Sequence, residues 1–218
     1  MPGSYRADQA GWLRAWCLDE LADMAWATSR GRRLVVLVDG RSGAGKSTLA
    51  AGLAARLGDD VQLVRLDDCY QGWHGLAAAA RTVPKHLLHP REPGYRAWDW
   101  DNDQPAEWVP LDPRRPLVIE GSGALTAASA ALASLTVWVD ADEATRLRLV
   151  RQREGTEDIA WWQMWADQER SHMRTDRPAR MADVIVNPVK GVTWMSRPLA
   201  SCAGWSATAR SCAGSLPG

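Results

Sequence analysis

The eight residues Gly40-Arg41-Ser42-Gly43-Ala44-Gly45-Lys46-Ser47 constrain this chain more than any other stretch, because they match the pattern G-x-x-x-x-G-K-[ST] in full. Glycines at these positions let the backbone curve into a concave nest whose N–H groups face phosphate oxygens, and a helix starting near the lysine adds the positive end of its dipole. In such a loop Lys46 neutralises the β- and γ-phosphates of a nucleoside triphosphate, and the Ser47 hydroxyl ligates Mg²⁺. A glycine turn can match by chance, so the flanks decide. Leu34 to Val38 is a continuous apolar run rich in valine, the pattern of a strand buried on both faces. Ser47 to Leu57 sets Leu49, Leu53 and Leu57 on one helical face before Gly58 closes the helix. The loop thus stands between a buried strand and an amphipathic helix, and its phosphate-binding residues are Gly40, Ser42, Gly43, Ala44, Gly45, Lys46, Ser47 and Thr48.

Further strands are predicted at Val61 to Leu66, Leu117 to Ile119, Leu135 to Val139 and Val184 to Val186, with helical patterns between several of them. That alternation argues for an α/β fold on a parallel sheet of about five strands. Ahead of it, Asp8 to Ser29 spaces Leu13, Trp16, Leu21 and Met24 as an amphipathic helix, so residues 1–31 form an N-terminal helical segment. Residues 32–189 form the main domain. Within it, about 70–115 reads as an irregular insert with six prolines, long enough to be functional. Residues 190–218 are rich in Ser, Ala and Gly and read as a poorly ordered tail, in which Ser201-Cys-Ala-Gly204 is echoed by Ser211-Cys-Ala-Gly214.

Composition excludes several classes. With 26 basic and 26 acidic residues the formal charge is zero, which gives no general attraction for nucleic acid or an anionic membrane. No apolar run approaches a membrane span, and Arg6, Asp8 and Arg14 stand where a signal peptide needs an uncharged stretch, so the chain reads as cytoplasmic. Cys17, Cys69, Cys202 and Cys212 lie far apart, without zinc or disulfide spacing. A guanine-reading N-K-x-D is absent, and the 171 residues after Ser47 suit a small phosphotransferase better than a motor.

In such a sheet ligands bind beyond the carboxyl ends of the strands. Asp67 and Asp68 fall just past the second strand and Glu120 just past the third. One carboxylate there takes the proton of an attacking hydroxyl while another holds Mg²⁺; the competing reading of Asp67-Asp68 is a turn or helix cap. Arg146, Arg148, Arg151 and Arg153 form a basic cluster after the fourth strand, either a lid over the nucleotide or a solvated helix face. Trp73, His74, Tyr95, Arg96, Trp98, Asp99 and Trp100 either wall a flat pocket or fill a small subdomain core. Trp161, Trp162 and Trp165 follow helical spacing and read as core.

These residues together resemble the uridine kinase-like branch of P-loop nucleoside and small-molecule kinases over about residues 32–189. Val38 to Thr48 is similar to the family's opening, Asp67-Asp68-Cys69-Tyr70 to its D-x-F-Y element, and Val118-Ile-Glu-Gly121 to its V-x-E-G strand. Thr145-Arg-Leu147 with Arg153-Glu154 resembles its lid helix, and Ala182-Asp-Val-Ile185 its last strand. The resemblance implies a P-loop NTPase, nucleoside kinase-like three-layer sandwich. It implies Asp67 as catalytic base, Lys46 and Arg153 as catalytic cations on the phosphates, and a lid over about 146–158. Ser47 and Glu120 then hold Mg²⁺. Tyr70 is implied as an acceptor contact, and Asp68, Tyr95, Arg96, Trp98, Asp99 and Trp100 are the further candidates on the acceptor side. Cys69 replaces the family's phenylalanine, and Leu149 and Val150 interrupt the lid's paired arginines, so Arg151 is the substitute phosphate ligand. The expected activity is transfer of the γ-phosphate of ATP to a hydroxyl of a small molecule, with a nucleoside as the leading acceptor. A kinase for another metabolite or a hydroxylated antibiotic, and a nucleotide-binding regulator without transferase activity, are the alternatives. Monomer and homo-oligomer stay open.

Overall fold

The computed structural model describes residues 15–154, 159–187 and 191–195. Its centre is a six-stranded sheet whose strands in chain order are β1 (Val35–Gly40), β2 (Gln62–Arg65), β5 (Leu117–Glu120), β6 (Leu135–Val139), β7 (Val184–Asn187) and β8 (Gly191–Met195). The spatial order is β2-β5-β1-β6-β7-β8, with the first five parallel and β8 antiparallel to β7. Every residue of β1 is buried, as its unbroken apolar run requires of a strand covered on both faces.

Alternate residues of β1 serve opposite faces, and this divides the core in two. Val36 and Val38 join Val118, Val137 and Val139 under α1 (Ala15–Ser29) and α2 (Lys46–Leu57), which supply Leu21, Met24, Leu49 and Leu53. Val35 and Leu37 join Leu117, Ile119 and Trp138 on the other face. That face is covered by Leu76 and Ala79 of α3 (Leu76–Thr82), Val83 and Leu87 of the π-helical turn after it, and Trp165 of α6 (Ile159–Thr175). Two short helices, α4 (Ala127–Ala130) and α7 (Pro178–Met181), precede β6 and β7, and α5 (Glu143–Glu154) follows β6. Helices on both faces of a parallel sheet make the three-layer α/β sandwich of the P-loop NTPase, nucleoside kinase-like type.

The structure corrects two expectations. The stretch 70–115 is largely regular: α3 and the π turn are followed by a hairpin of β3 (Gly94–Asp99) and β4 (Gln104–Pro110). Its prolines misled because Pro105 and Pro110 sit in a two-stranded sheet, where each strand has a free edge and a missing N–H is tolerated. The second correction concerns 190–218, because Gly191–Met195 forms β8. Val192, Thr193 and Trp194 are strand-favouring residue types, and their strand covers the edge that β7 otherwise leaves open. The tetrapeptide echo, residues 1–14 of the first segment and 155–158 of the lid lie outside the described residues.

Candidate active site

Parallel strands deliver their carboxyl ends to one edge, and register brings the acids together. Glu120 pairs in register with Val38 of β1 and Arg65 of β2, so it lies between the strand that leads into the glycine loop and the strand that leads into Asp67. The loop itself is built on close approach. At Gly40 a Cβ would stand 2.5 Å from the Val139 carbonyl oxygen. At Gly43, where φ is +76°, it would stand 2.5 Å from the Arg146 carbonyl oxygen and 2.8 Å from Val150 of α5. Gly45 is left-handed and hands the chain to α2, whose first residue is Lys46. The buried Lys46 ammonium donates to the Arg41 carbonyl at 3.2 Å, back across the loop.

Glu120 is buried, and burial raises its pKa; the Asp67 charge raises it further, while Lys46 and a hydrogen bond from the Ser47 hydroxyl oppose that. One of its oxygens, Oε1, is buried without a hydrogen-bond partner. An orphaned carboxylate oxygen beside a serine hydroxyl at a phosphate loop is the donor set a Mg²⁺ ion takes: hard, anionic and incomplete without nucleotide and water. Ser47 and Glu120 therefore fit the ion. Among the described residues no group of three or more His, Cys, Asp or Glu forms a self-sufficient metal centre.

Asp67 and Asp68 sit in a 3-10 turn (Leu66–Asp68) directly after β2, both exposed. Asp68 has its pKa raised by partial burial and then by Asp67. Tyr70 does not face an acceptor as the resemblance implied. It is 2% exposed, donates its hydroxyl to the Ser122 carbonyl at 2.8 Å and packs edge-on against Trp165 at 4.7 Å. Burial holds its pKa well above the usual phenol value. Its large ring belongs to the core beneath the site.

The acceptor segment divides. Trp100 lies beside Asp67, donating its indole N–H to the Asp67 carbonyl at 2.9 Å. It meets Trp73 edge-on at 5.4 Å, and Trp73 stacks on Trp161 at 5.3 Å. All three are about two-fifths exposed, so Trp161 lies outside the core that its helical spacing suggested, whereas Trp165 is buried. Tyr95 is half-buried, with its phenol raised to about 12 by burial and then by Asp68. Trp98 is partly buried, its indole nitrogen without a partner. Arg96 and Asp99 are instead committed to the hairpin. Arg96 donates to the Ala106 carbonyl on β4, and the Asp99 carboxylate accepts from the Asp101 and Asn102 backbone and the Asn102 amide. Those bonds lower the Asp99 pKa and make it a turn-former.

The basic cluster on α5 also divides. Arg146, 1% exposed, donates to the Ser42 carbonyl at 3.2 Å and lies over the Trp162 ring at 5.8 Å. At about 100° per residue, Arg151 is turned by roughly 140° from it. Arg151 is exposed and lines a separate shallow cavity with Ala144, Leu147 and Arg148. It is thereby turned away from the phosphate loop, and among the described side chains Arg146 is the α5 arginine in contact with that loop. Arg153, seven residues beyond Arg146, falls on the same helical face, and its side chain lies outside the described residues.

One group of buried residues was not anticipated. Asp39, 1% exposed at the end of β1, accepts from the backbone N–H of Gly40 at 2.6 Å, Gly123 at 3.1 Å and Leu125 at 2.9 Å. Its Oδ2 also meets His172 Nε2 at 3.1 Å, and His172 Nδ1 meets Asp176 at 2.9 Å. Burial pulls the His172 pKa down, but its bonds to Asp39 and then Asp176 outweigh that, so the net shift is upward. One turn earlier on α6, the buried Glu169 accepts from the Ser42 N–H at 2.6 Å, the Ser122 hydroxyl at 3.1 Å and Arg41 Nε at 3.3 Å. A carboxylate three residues before a histidine on one helix was the available signal.

Fold and loop define a class: the chain has the fold of the uridine kinase-like P-loop proteins. It is similar to the structure of a candidate uridine kinase from Bacillus stearothermophilus, with TM-score 0.55 and 20% identity over 78% of this chain and 96% of that one. It is also similar to a candidate fructose transport system kinase from Silicibacter sp. TM1040, with TM-score 0.51 and 19% identity over 76% of this chain and 94% of that one. No protein-family model and no curated protein sequence matches the chain. Among the described residues no helix is long and apolar enough to cross a membrane.

Proposed function

We propose that the protein is an ATP- and Mg²⁺-dependent kinase that transfers the γ-phosphate to a hydroxyl group of a small molecule, with a nucleoside as the leading acceptor. The observation that carries this reading is the convergence of Lys46, Ser47, Glu120 and Asp67 at one edge of the sheet. A nucleotide-binding regulator needs the loop, and it has no need of an exposed carboxylate two residues past the neighbouring strand.

In this reading Lys46 and the loop amides other than those of Gly40 and Ser42, which donate to Asp39 and Glu169, bind the phosphates, and Ser47 and Glu120 hold Mg²⁺, which neutralises phosphate charge when bound. Asp67 accepts the proton of the acceptor hydroxyl as that oxygen bonds to the γ-phosphorus; the bond to the β–γ bridging oxygen breaks, and ADP leaves. Asp68 stands at the same edge. The acceptor lies against the aromatic surface of Trp100, Trp73 and Trp161. Aromatic faces beside a base suit a planar group bearing a hydroxyl, which favours a nucleoside. Arg96 and Asp99 are occupied by the hairpin, so a sugar diol draws no carboxylate from Asp99.

A phosphate-transfer screen of the purified protein against nucleosides and small polyols tests the assignment. We expect ATP-dependent phosphorylation of at least one nucleoside, abolished in Lys46→Ala. Transfer to polyols alone refutes the nucleoside assignment. ATP binding without transfer to any acceptor refutes the kinase reading.

A further inference from the structure

Ser42 occupies an unusual position within the phosphate loop. Both of its backbone polar groups are held by buried charged side chains from other helices. Its N–H donates to Glu169 Oε1 of α6 at 2.6 Å, and its carbonyl accepts from Arg146 Nη1 of α5 at 3.2 Å. Glu169 is 2% exposed and Arg146 1% exposed. The peptide before it is held as well, through Arg41 Nε on Glu169 Oε2 and the Lys46 ammonium on the Arg41 carbonyl. One turn further along α6, His172 holds Asp39, whose carboxylate takes the Gly40 N–H at the loop's first residue.

Fold stability alone explains these charges poorly. Burying a carboxylate and a guanidinium is costly, and apolar side chains of similar volume often stabilise as well or better. Arg146 also leaves Nε and Nη2 without partners, so the cost is not recovered in local bonds. What the pair does provide is shape. A loop with glycines at 40, 43 and 45 has many backbone states, and ordering it on nucleotide binding would subtract from affinity.

We infer that Glu169 and Arg146 are positioning residues that hold the phosphate loop in its anion-binding curvature before nucleotide arrives. Ser42 is then the point where lid helix α5 and helix α6 are mechanically coupled to the loop. Neither residue touches the transferred phosphate; both act through the Ser42 backbone. The inference rests on the nucleotide-binding reading above and adds to it the pair of residues that sets affinity.

The test measures MgATP binding by titration calorimetry, together with KM for ATP, KM for the acceptor and kcat, in the full chain. Glu169→Ala is expected to raise the MgATP Kd and the ATP KM about tenfold or more, with acceptor KM and kcat moving less than threefold. Glu169→Gln should recover most of the loss, because its amide oxygen still accepts the Ser42 N–H. Arg146→Ala, on the other helix, should show the same selective loss. A purely structural role would lower the melting temperature while leaving the Kd of the folded fraction within about twofold of wild type, and that result overturns the inference. Should Glu169→Ala fail to fold, Glu169→Asp and Arg146→Ala are read in the same way, and loss of fold in all three overturns it too. Wild-type protein that binds no MgATP refutes the nucleotide-binding reading itself; wild-type binding matched by the variants refutes only the positioning role.

Discussion

Replacing Asp39 by asparagine tests the network beneath the phosphate loop with one atom changed. The carboxylate accepts four hydrogen bonds: Gly40 and Gly123 on Oδ1, Leu125 and His172 on Oδ2. An asparagine that keeps its oxygen toward Gly40 and Gly123 turns its NH₂ toward Leu125 N–H, a donor facing a donor. A buried N–H left unpaired costs about 1–3 kcal/mol, and a hydrogen bond to a charged partner is worth about 1.5–3 kcal/mol. Losing the Leu125 acceptor and the charged partner of His172 together should therefore cost about 2.5–6 kcal/mol, against a whole stability of about 5–15 kcal/mol for most domains. The variant should fold with a lower urea midpoint. A pH signature accompanies it. His172 has its pKa raised in the folded chain, so its contribution is fully present below the ordinary value of about 6.5 and is lost as pH rises through the folded pKa. Wild-type stability should fall over that window, and Asp39→Asn should flatten the slope. Urea melts at several pH values check both points. A destabilisation under about 1 kcal/mol, with an unchanged pH slope, refutes the argument.

Three further outcomes follow from the geometry. Asp67→Asn should lower kcat by about 10²-fold, the scale of general-base catalysis, with ATP affinity near wild type, while Asp68→Asn does less; the reverse order in steady-state kinetics would exchange their roles. Trp100→Ala removes the indole bond to the Asp67 carbonyl and an exposed wall, so acceptor KM should rise about fivefold or more, worth about 1 kcal/mol, while ATP KM stays within twofold. A chain ending at Val189 lacks β8 and leaves β7 as an open edge, so it should melt several degrees below a chain ending just after the β8 strand; equal melting temperatures would mean the hairpin adds nothing.

The parallel sheet was legible because its strands announce themselves chemically. Leu34 to Val38 is apolar throughout and Leu135 to Val139 in all but Thr136, a pattern that burial on both faces requires. The hairpin was not legible. In β3 and β4 the residues are mostly exposed or half-buried, so no alternation marks them. Their prolines signal loop wherever a strand is assumed to be central. β8 was hidden likewise, since five residues beside a glycine-rich stretch carry too little pattern to separate from it.

Candidate site positions were legible where residue type at fixed spacing carries the signal and opaque where the contact is made to backbone. Lys46, Ser47, Glu120 and Asp67 could be placed because a loop motif and two strand ends fix them along the chain. Glu169 and Asp39 accept main-chain N–H groups and His172 pairs with Asp39, partners that no motif records. Their distance in sequence compounds this, because Glu169 is 127 residues from Ser42 and His172 is 133 from Asp39. The α5 arginines show the same limit from the other side. Arg146, Arg148 and Arg151 are chemically identical, so composition names a cluster. Only the angle at which α5 meets Gly43 decides that Arg146 enters the loop while Arg148 and Arg151 face outward, and that angle is set by packing on a glycine with no room for a Cβ. A side chain at Gly43 would push α5 away, and Arg146 would then lose Ser42 although its own sequence neighbourhood is unchanged.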